Sequence, residues 1–428
     1  MTLQLDKSLE SWIEKGATEA QEAEKKGVVL VVHFLIGITT ADDVQIAHVA
    51  KCVLPQTVHS ESGDELSKLV DAEWITDAAE KVARMLPGGV SIVGLAVFCN
   101  KKVYNEQRQM LGRAMSKIHR ITNAISSMGI DPVQSVMAVI HIDSATKKAT
   151  AVTSDVARRA PDFPCKLSWT ALRWVSLVAR CVVDMRCPVD GEGDFYSQLN
   201  AALEPWATEL FQSDLITFDG EIRDNAEPLF IDPKKAKNSY SIQAQLFLPA
   251  ATSKDQHGNA SSGTLELSFD LAIRAVVPFK SIIADAKRAL RQHIIRNLLA
   301  RASLHYESME VLEGQEKSGG GQALHQLPRA ATTVLPTQSS VLLYDFLFDG
   351  DTSEDAQRNF DQLLGIKPSL EEIDDLWERN LTQEEVAEPA LALHLPNKHS
   401  GFPIALPLLA LSVIVVVVAF IIYVAIGK

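Results

Sequence analysis

Ile404–Ile426 reads IALPLLALSVIVVVVAFIIYVAI, 23 residues without a charge. Only Pro407 and Ser412 fall outside the apolar set. As a helix the run would reach about 34 Å, enough for a hydrocarbon core of about 30 Å. It is too long and too uniform for a buried core helix. A cleaved glycolipid-anchor signal would require entry to the secretory lumen. Met1–Glu10 is polar and acidic and offers no apolar signal core. The expectation is therefore a tail anchor: one transmembrane helix over 404–426, with the bulk of the chain cytosolic. Flanking positive charge is sparse (Lys398, His399 and Lys428), so the orientation rests mainly on the N-terminus.

The rest of the chain has an ordinary globular composition. Of 428 residues, 46% are hydrophobic and 22% charged, which excludes a disordered chain. The net charge of −13 argues against a protein built to grip nucleic acid, which needs a basic face. Five cysteines, an odd and sparse number, argue against a disulfide-stapled fold and for a reducing compartment. Mean hydropathy of +0.04 is high for so many charges, and the terminal run accounts for it.

Periodicity divides the chain before the anchor into two blocks. In the first, residues 1–26 read as an acidic helix with a partial stripe (Leu5, Leu9, Trp12, Ile13), stopped at Gly27. Val28–Ile38 and Val44–Leu54 read as strands, the first buried on both faces. Asp71–Leu86 has helical spacing in Trp74, Ala78, Val82 and Met85, and Pro87-Gly88-Gly89 ends it. Val90–Cys99 is a third buried strand and Val103–Ser127 the next helix. Val133–Asp143 and Ala149–Asp155 form a hairpin, and Cys165–Val189 gives one or two more strands. Asp190–Gly193 reads as a boundary. The second block has a helix at Phe195–Phe211, strands at Ser239–Pro249 and Thr264–Phe279, and a long helix at Ser281–Leu304. Gly314–Gln322 reads as a loop, Ser340–Phe348 as a strand, Thr352–Gly365 as an acidic helix and Pro368–Arg379 as a short one. This is an α+β pattern: a mixed sheet with packed helices over residues 1–190, a second α+β domain over 194–379, a tether over 380–403 and the span.

Catalytic signatures are absent. The sequence holds no phosphate-binding loop, no G-x-G-x-x-G, no C-x-x-C and no H-E-x-x-H. His33 and His141 lie inside strands and read as core or edge residues. His141 and Asp143 share a strand face, and with Ser135 they suggest a triad that nothing else supports. Cys181 and Cys187 suit neither zinc nor redox chemistry. Ser281–Leu304 has an apolar face (Ile283, Ala286, Leu290, Ile294, Leu298) and a basic remainder including Lys287, Arg288, Arg291, Arg296 and Arg301. A packed helix is the better reading; contact with anionic lipid or an acidic partner is the other.

Several segments together resemble a known family. Glu73-Trp74 and Arg84-Met85-Leu86-Pro87-Gly88-Gly89, leading into Ile92-Val93-Gly94, are similar to the odorant-response-abnormal-four family. So are Phe34-Leu35-Ile36-Gly37, the stretch Val341–Asp349 with the acidic helix after it, and the single C-terminal span. The resemblance covers essentially the whole chain, with only a broad match over 157–270. It implies a tail-anchored endoplasmic-reticulum protein linked to maturation and surface localisation of membrane receptors, and to anchoring of the ubiquitin-fold-modifier protease. It also implies an N-terminal domain like the MPN fold of the JAMM metalloproteases. An active site of that type needs an H-x-H pair, an Asp and a Glu. The matching stretch Gly94–Phe98 holds no His, and Val28–Val32 holds no Glu.

The expected function is thus a non-enzymatic membrane adaptor that positions partner proteins at the endoplasmic reticulum, with no catalytic residue, metal or cofactor. A chaperone-like trafficking factor without a protease partner is the alternative, and a hydrolase with an unrecognised site a weaker one. Candidate partner-binding residues are Trp74, Arg84, Met85, Pro87, Gly88 and Gly89. For Pro87–Gly89 the simpler role is to stop a helix and turn the chain into a strand.

Overall fold

The computed structural model describes residues 1–53, 70–122, 135–158, 161–189, 195–212, 215–231, 241–247, 263–312 and 327–376. Met1–Arg379 forms one compact unit. Among the described residues no helix is long and apolar enough to cross a membrane. The expected span at 404–426, the tether, the Asp190–Gly193 boundary, the Gly314–Gln322 loop and the end of the Val103–Ser127 helix lie outside them.

The fold is α+β. Seven strands close a barrel in the order β1-β3-β2-β4-β5-β6-β7: β1 (Thr2–Asp6), β2 (Val31–Thr39), β3 (Asp43–Lys51), β4 (Ser91–Cys99), β5 (Val136–Asp143), β6 (Ala149–Asp155) and β7 (Phe163–Thr170). Strand β2 is buried over nearly its whole length because its two faces serve different clusters. Val32, Phe34 and Ile36 pack with residues of α2 (Ala72–Arg84) and α3 (Lys101–Thr122). Val31 and Leu35 pack with β1 and with α1 (Trp12–Lys25). That two-sided burial is why the segment reads as a continuous apolar run.

The N-terminus departs from the helical expectation. Thr2–Asp6 is a strand, parallel to both β3 and β7, and it is the piece that closes the barrel. Leu3 and Leu5 are fully buried there. The short pattern of Leu5, Leu9 and Trp12 fits either period, and pairing on both sides decides for the strand. Asp6 then acts as a hub. It accepts from Ser8 N at 3.0 Å, Ser8 Oγ at 2.7 Å, Leu172 N at 3.1 Å and Gln338 Nε2 at 3.0 Å.

The segment Cys165–Val189 changes sheet midway. β8 (Trp174–Val189) leaves the barrel and joins a five-stranded sheet of order β10-β9-β11-β8-β12, with β9 (Ile216–Phe218), β10 (Glu221–Ile222), β11 (Ser241–Leu246) and β12 (Gly263–Pro278). β8 and β12 pair antiparallel over their full length. One face of this sheet packs on α4 (Phe195–Gln212) and α5 (Ile283–Leu312). A hairpin of β13 (Arg329–Leu335) and β14 (Gln338–Leu347) completes the strands. β13 has no counterpart in the sequence reading, because its pattern is broken by Thr332 and Thr333. Ala331, Leu335, Val341 and Leu343 insert into the cluster that also holds Phe34 and Ile75.

The acidic helix is confirmed as α6 (Ser353–Asn359), opened by a Thr352/Asp355 capping box. It runs into a wider turn at Phe360–Leu364, ended by left-handed Gly365. The short helix expected over Pro368–Arg379 is a single turn at Leu370–Glu372. Asp374 then pairs with Thr332 through two backbone bonds of 2.8 and 2.9 Å, so an extended strand contact wins over the helix.

Asp6→Ala removes the acceptor of a buried Leu172 amide and of Gln338. Urea unfolding followed by tryptophan fluorescence should show a loss of about 2–3 kcal/mol.

Candidate functional site

The segment singled out in the sequence, Arg84–Gly89, follows α2 and leads into β4. Asp71 caps α2 by accepting from Trp74 N, and the chain turns at Met85. Met85, Pro87 and Gly88 are buried, and Gly89 adopts φ +86°. The covering element is α5. Gly88 N–H donates to His293 Nδ1 at 3.2 Å. Arg296 donates to Val90 O at 2.5 Å and to Pro87 O at 3.4 Å. Two further elements hold the turn from the other sides. Val276 N of β12 donates to Gly88 O at 2.9 Å, and Tyr344 N of β14 donates to Met85 O at 2.9 Å.

Both glycines are required by contact, and Gly89 by torsion as well. A Cβ on Gly88 would lie 2.1 Å from Ala289 O, and one on Gly89 would lie 1.9 Å from Val276 O. Arg84 closes the edge of the joint. It donates to Glu80 at 3.0 Å and to Ser303 at 3.1 Å and Glu307 at 2.6 Å, both on α5. Burial works against its charge, but the hydrogen bonds and charges of Glu307 and Glu80 outweigh this and raise its pKa.

His293 is held neutral. Burial, then the nearby Arg296 and Arg301, push its pKa down to about 3. Because Nδ1 accepts from Gly88, the ring proton sits on Nε2. Burial also lowers Arg296 to about 10. Arg296 thus faces the protein's own backbone, whereas Arg288 is exposed and pairs with Asp285 at 3.2 Å. Lys287, Arg291 and Arg301 are buried. Arg301 donates to Asn297 at 2.6 Å and to Pro328 O, with its guanidinium 5.1 Å from the Phe346 ring. The helix is a packed one, as the sequence reading preferred.

Arg84, Met85, Pro87, Gly88 and Gly89 are therefore brought together, on an internal joint. Trp74 stands apart, three turns back on α2. It is half-buried and donates from Nε1 to Val53 O at 2.9 Å. Sequence reasoning did not connect the turn with α5. The available signal was the basic residues of that helix, which a buried turn rich in free carbonyls can satisfy.

The other candidates are dispersed. His33 accepts from Trp12 Nε1 at 3.1 Å and packs 4.9 Å from the Phe98 ring; burial, with Lys51 nearby, takes its pKa to about 3. His141 Nε2 faces Cys99 O at 3.1 Å and its ring stacks on Tyr104. Ser135 donates to Asp155 instead of approaching His141. Cys181 is buried and its thiol is pushed up to about 12 by burial, with Asp270 adding to this; the Cys187 side chain lies outside the described residues. Among the described residues no group of three or more His, Cys, Asp or Glu is placed to hold a metal.

A closed barrel and a second sheet that meet at a clasped glycine turn define an α+β protein, and that joint is built of backbone and cation. Residues 33–375 match the family described as Odorant response abnormal 4-like, and the chain belongs to that family. Odorant response abnormal protein 4 of Caenorhabditis elegans is 37% identical over 390 residues, covering 89% of this chain and 82% of that one. The odr-4 homologs of Xenopus tropicalis and Homo sapiens are 25% and 24% identical, covering 74% and 73% of this chain and 75% and 72% of theirs. Among solved structures, the crystal structure of UfSP from C. elegans aligns with 85% of this chain and 56% of its own length, at 12% identity and a TM-score of 0.45.

Gly88→Ala should lower the unfolding free energy by about 3 kcal/mol, because the new methyl meets a helix carbonyl and nothing nearby can yield. Gly112→Ala on α3, where a Cβ meets nothing within 4 Å, should raise it by about 1 kcal/mol. The buried histidines set a pH dependence. Unfolded imidazoles take up protons near pH 6.5, whereas His33 and His293 hold out to about 3. Stability is level above about pH 6.5 and falls as the pH drops from there toward 3, by up to about 1.4 kcal/mol per unit per histidine. Urea midpoints at pH 7, 6 and 5 should fall in that order.

Proposed function

We propose that this chain is a non-enzymatic, tail-anchored adaptor that positions partner proteins at the endoplasmic-reticulum membrane. Membership of the Odorant response abnormal 4-like family carries the reading. The charge-free run Ile404–Ile426 supports the membrane attachment, as a span long enough for a bilayer. In this reading the barrel with α1, α2 and α3 is an MPN-like domain whose metal ligands are missing from Gly94–Phe98 and Val28–Val32. The partners are client membrane receptors, for which the relatives are named by an odorant response, and the protease of the ubiquitin-fold modifier. Trp74 and Arg84, the members of the candidate set with partly exposed side chains, are the positions from which partner contact extends.

Two comparisons test this. In cells lacking the protein, the full chain should restore receptors to the cell surface, and a chain without Ile404–Lys428 should not. Affinity capture with both forms should recover the modifier protease equally in detergent, since the anchor sets location and not binding. Normal receptor distribution in the absence of the protein would overturn the trafficking role. Loss of the protease from both captures, with receptor traffic still dependent on the chain, would favour the chaperone-like alternative.

A further inference from the structure

We propose that one rim of the barrel is a docking face for the anionic headgroups of the membrane that holds the chain. The proposal rests on the tail-anchor reading and adds a surface to it. The strand register brings several segments to this rim. Val31 at the start of β2 lies opposite Phe98 near the end of β4, and His33 lies opposite Lys51 at the end of β3. Cys99 pairs alongside Asp143, the last residues of β4 and β5. Ser144 N–H donates to Cys99 O at 3.4 Å, and Gln21 of α1 donates to Ser144 O at 2.6 Å, so the end of α1 and the start of α3 meet the β5–β6 turn there.

Basic residues collect at this place in a chain of net charge −13. Lys25 and Lys26 close α1, Lys101 and Lys102 open α3, and Lys147 and Lys148 form the β5–β6 turn; all six are exposed. None of the six has an ion pair among the described residues. Among the described residues the carboxylates close by are Glu22 and Glu24 of α1, Glu19, which is paired with Lys51, and Asp143, which accepts from Thr146 N and Oγ within its own turn. Lys147 holds φ +57°, a left-handed conformation that Gly or Asn adopts more easily.

Three observations favour a lipid surface over an acidic protein. Val29 and Val53, 39% and 46% exposed, sit on the same rim and give it apolar points among the lysines. The run Ile404–Ile426 is separated from the last described residue, Leu376, by 27 residues, at most about 95 Å of chain, so an anchor there would keep the barrel near the bilayer. The flanks of the span supply little positive charge of their own, and the rim is a concentrated basic surface among the described residues for an anionic leaflet to meet.

The test is amine acetylation of the full-length chain inserted in vesicles, read by mass spectrometry at each lysine. Vesicles of phosphatidylcholine alone are compared with vesicles about one third phosphatidylserine. Labelling of the six rim lysines should fall at least about threefold on the anionic vesicles, and high salt should restore it. Exposed Lys280 and Lys367 are internal references and should not change. In the variant Lys101→Glu, Lys102→Glu, Lys147→Glu, Lys148→Glu, protection of Lys25 and Lys26 should disappear while flotation with the vesicles persists. Flotation with equal labelling on both vesicle types overturns this proposal alone. Protection that appears only when polyglutamate is added overturns it in favour of an acidic polypeptide. Failure to float with neutral vesicles overturns the anchor reading and this proposal with it.

Discussion

The seat of the Pro87–Gly89 turn on α5 is the constraint on which the rest of the molecule depends. A tight turn entering a buried strand exposes carbonyls that cannot all find ladder partners. Here Pro87 and Val90 carbonyls meet Arg296, and the Gly88 amide meets a neutral His293. Burying a cation and a turn separately would be costly, and burying them together satisfies both. The same turn receives an amide from β12 and, one residue before Leu86, an amide from β14. Barrel, second sheet and hairpin thereby meet at the backbone of four residues, Met85, Pro87, Gly88 and Val90.

That arrangement explains where the titratable side chains went. His33 and His141 sit at barrel positions where a catalytic histidine is easily imagined, but each ring is spent on packing and a single polar contact to Trp12 or Cys99. Asp6 and Asp143 hold backbone and turns in place. Arg296 and Arg301 of α5 donate to the carbonyls of Pro87, Val90 and Pro328.

Much of the fold is legible from residue order, for reasons that can be named. β2 and β4 are buried on both faces and so read as apolar runs. α2 is legible from its cap at Asp71 and its stop at Pro87, and α6 from the Thr352/Asp355 box. Local chemistry fails where the outcome depends on a distant partner. Thr2–Asp6 becomes a strand because β3 and β7 both offer it an open edge. Residues 374–376 stay out of a helix because β13 offers Asp374 a bridge. The glycine turn was visible as a turn, but its burial was not, since nothing within its own sequence marks α5, two hundred residues on, as its cover.

What the sequence determined by itself is the 23-residue apolar run and the acidic α+β body before it. These follow from composition and local period, which need no knowledge of neighbours. What only the tertiary structure decided is which surfaces are inside. It turned Arg296 of α5 inward onto a glycine turn, and it gathered six lysines from three separate segments onto one barrel rim. The reason is that charge must be matched in space: a cation's fate is set by the acceptors that the fold brings to it, and those lie far away along the chain.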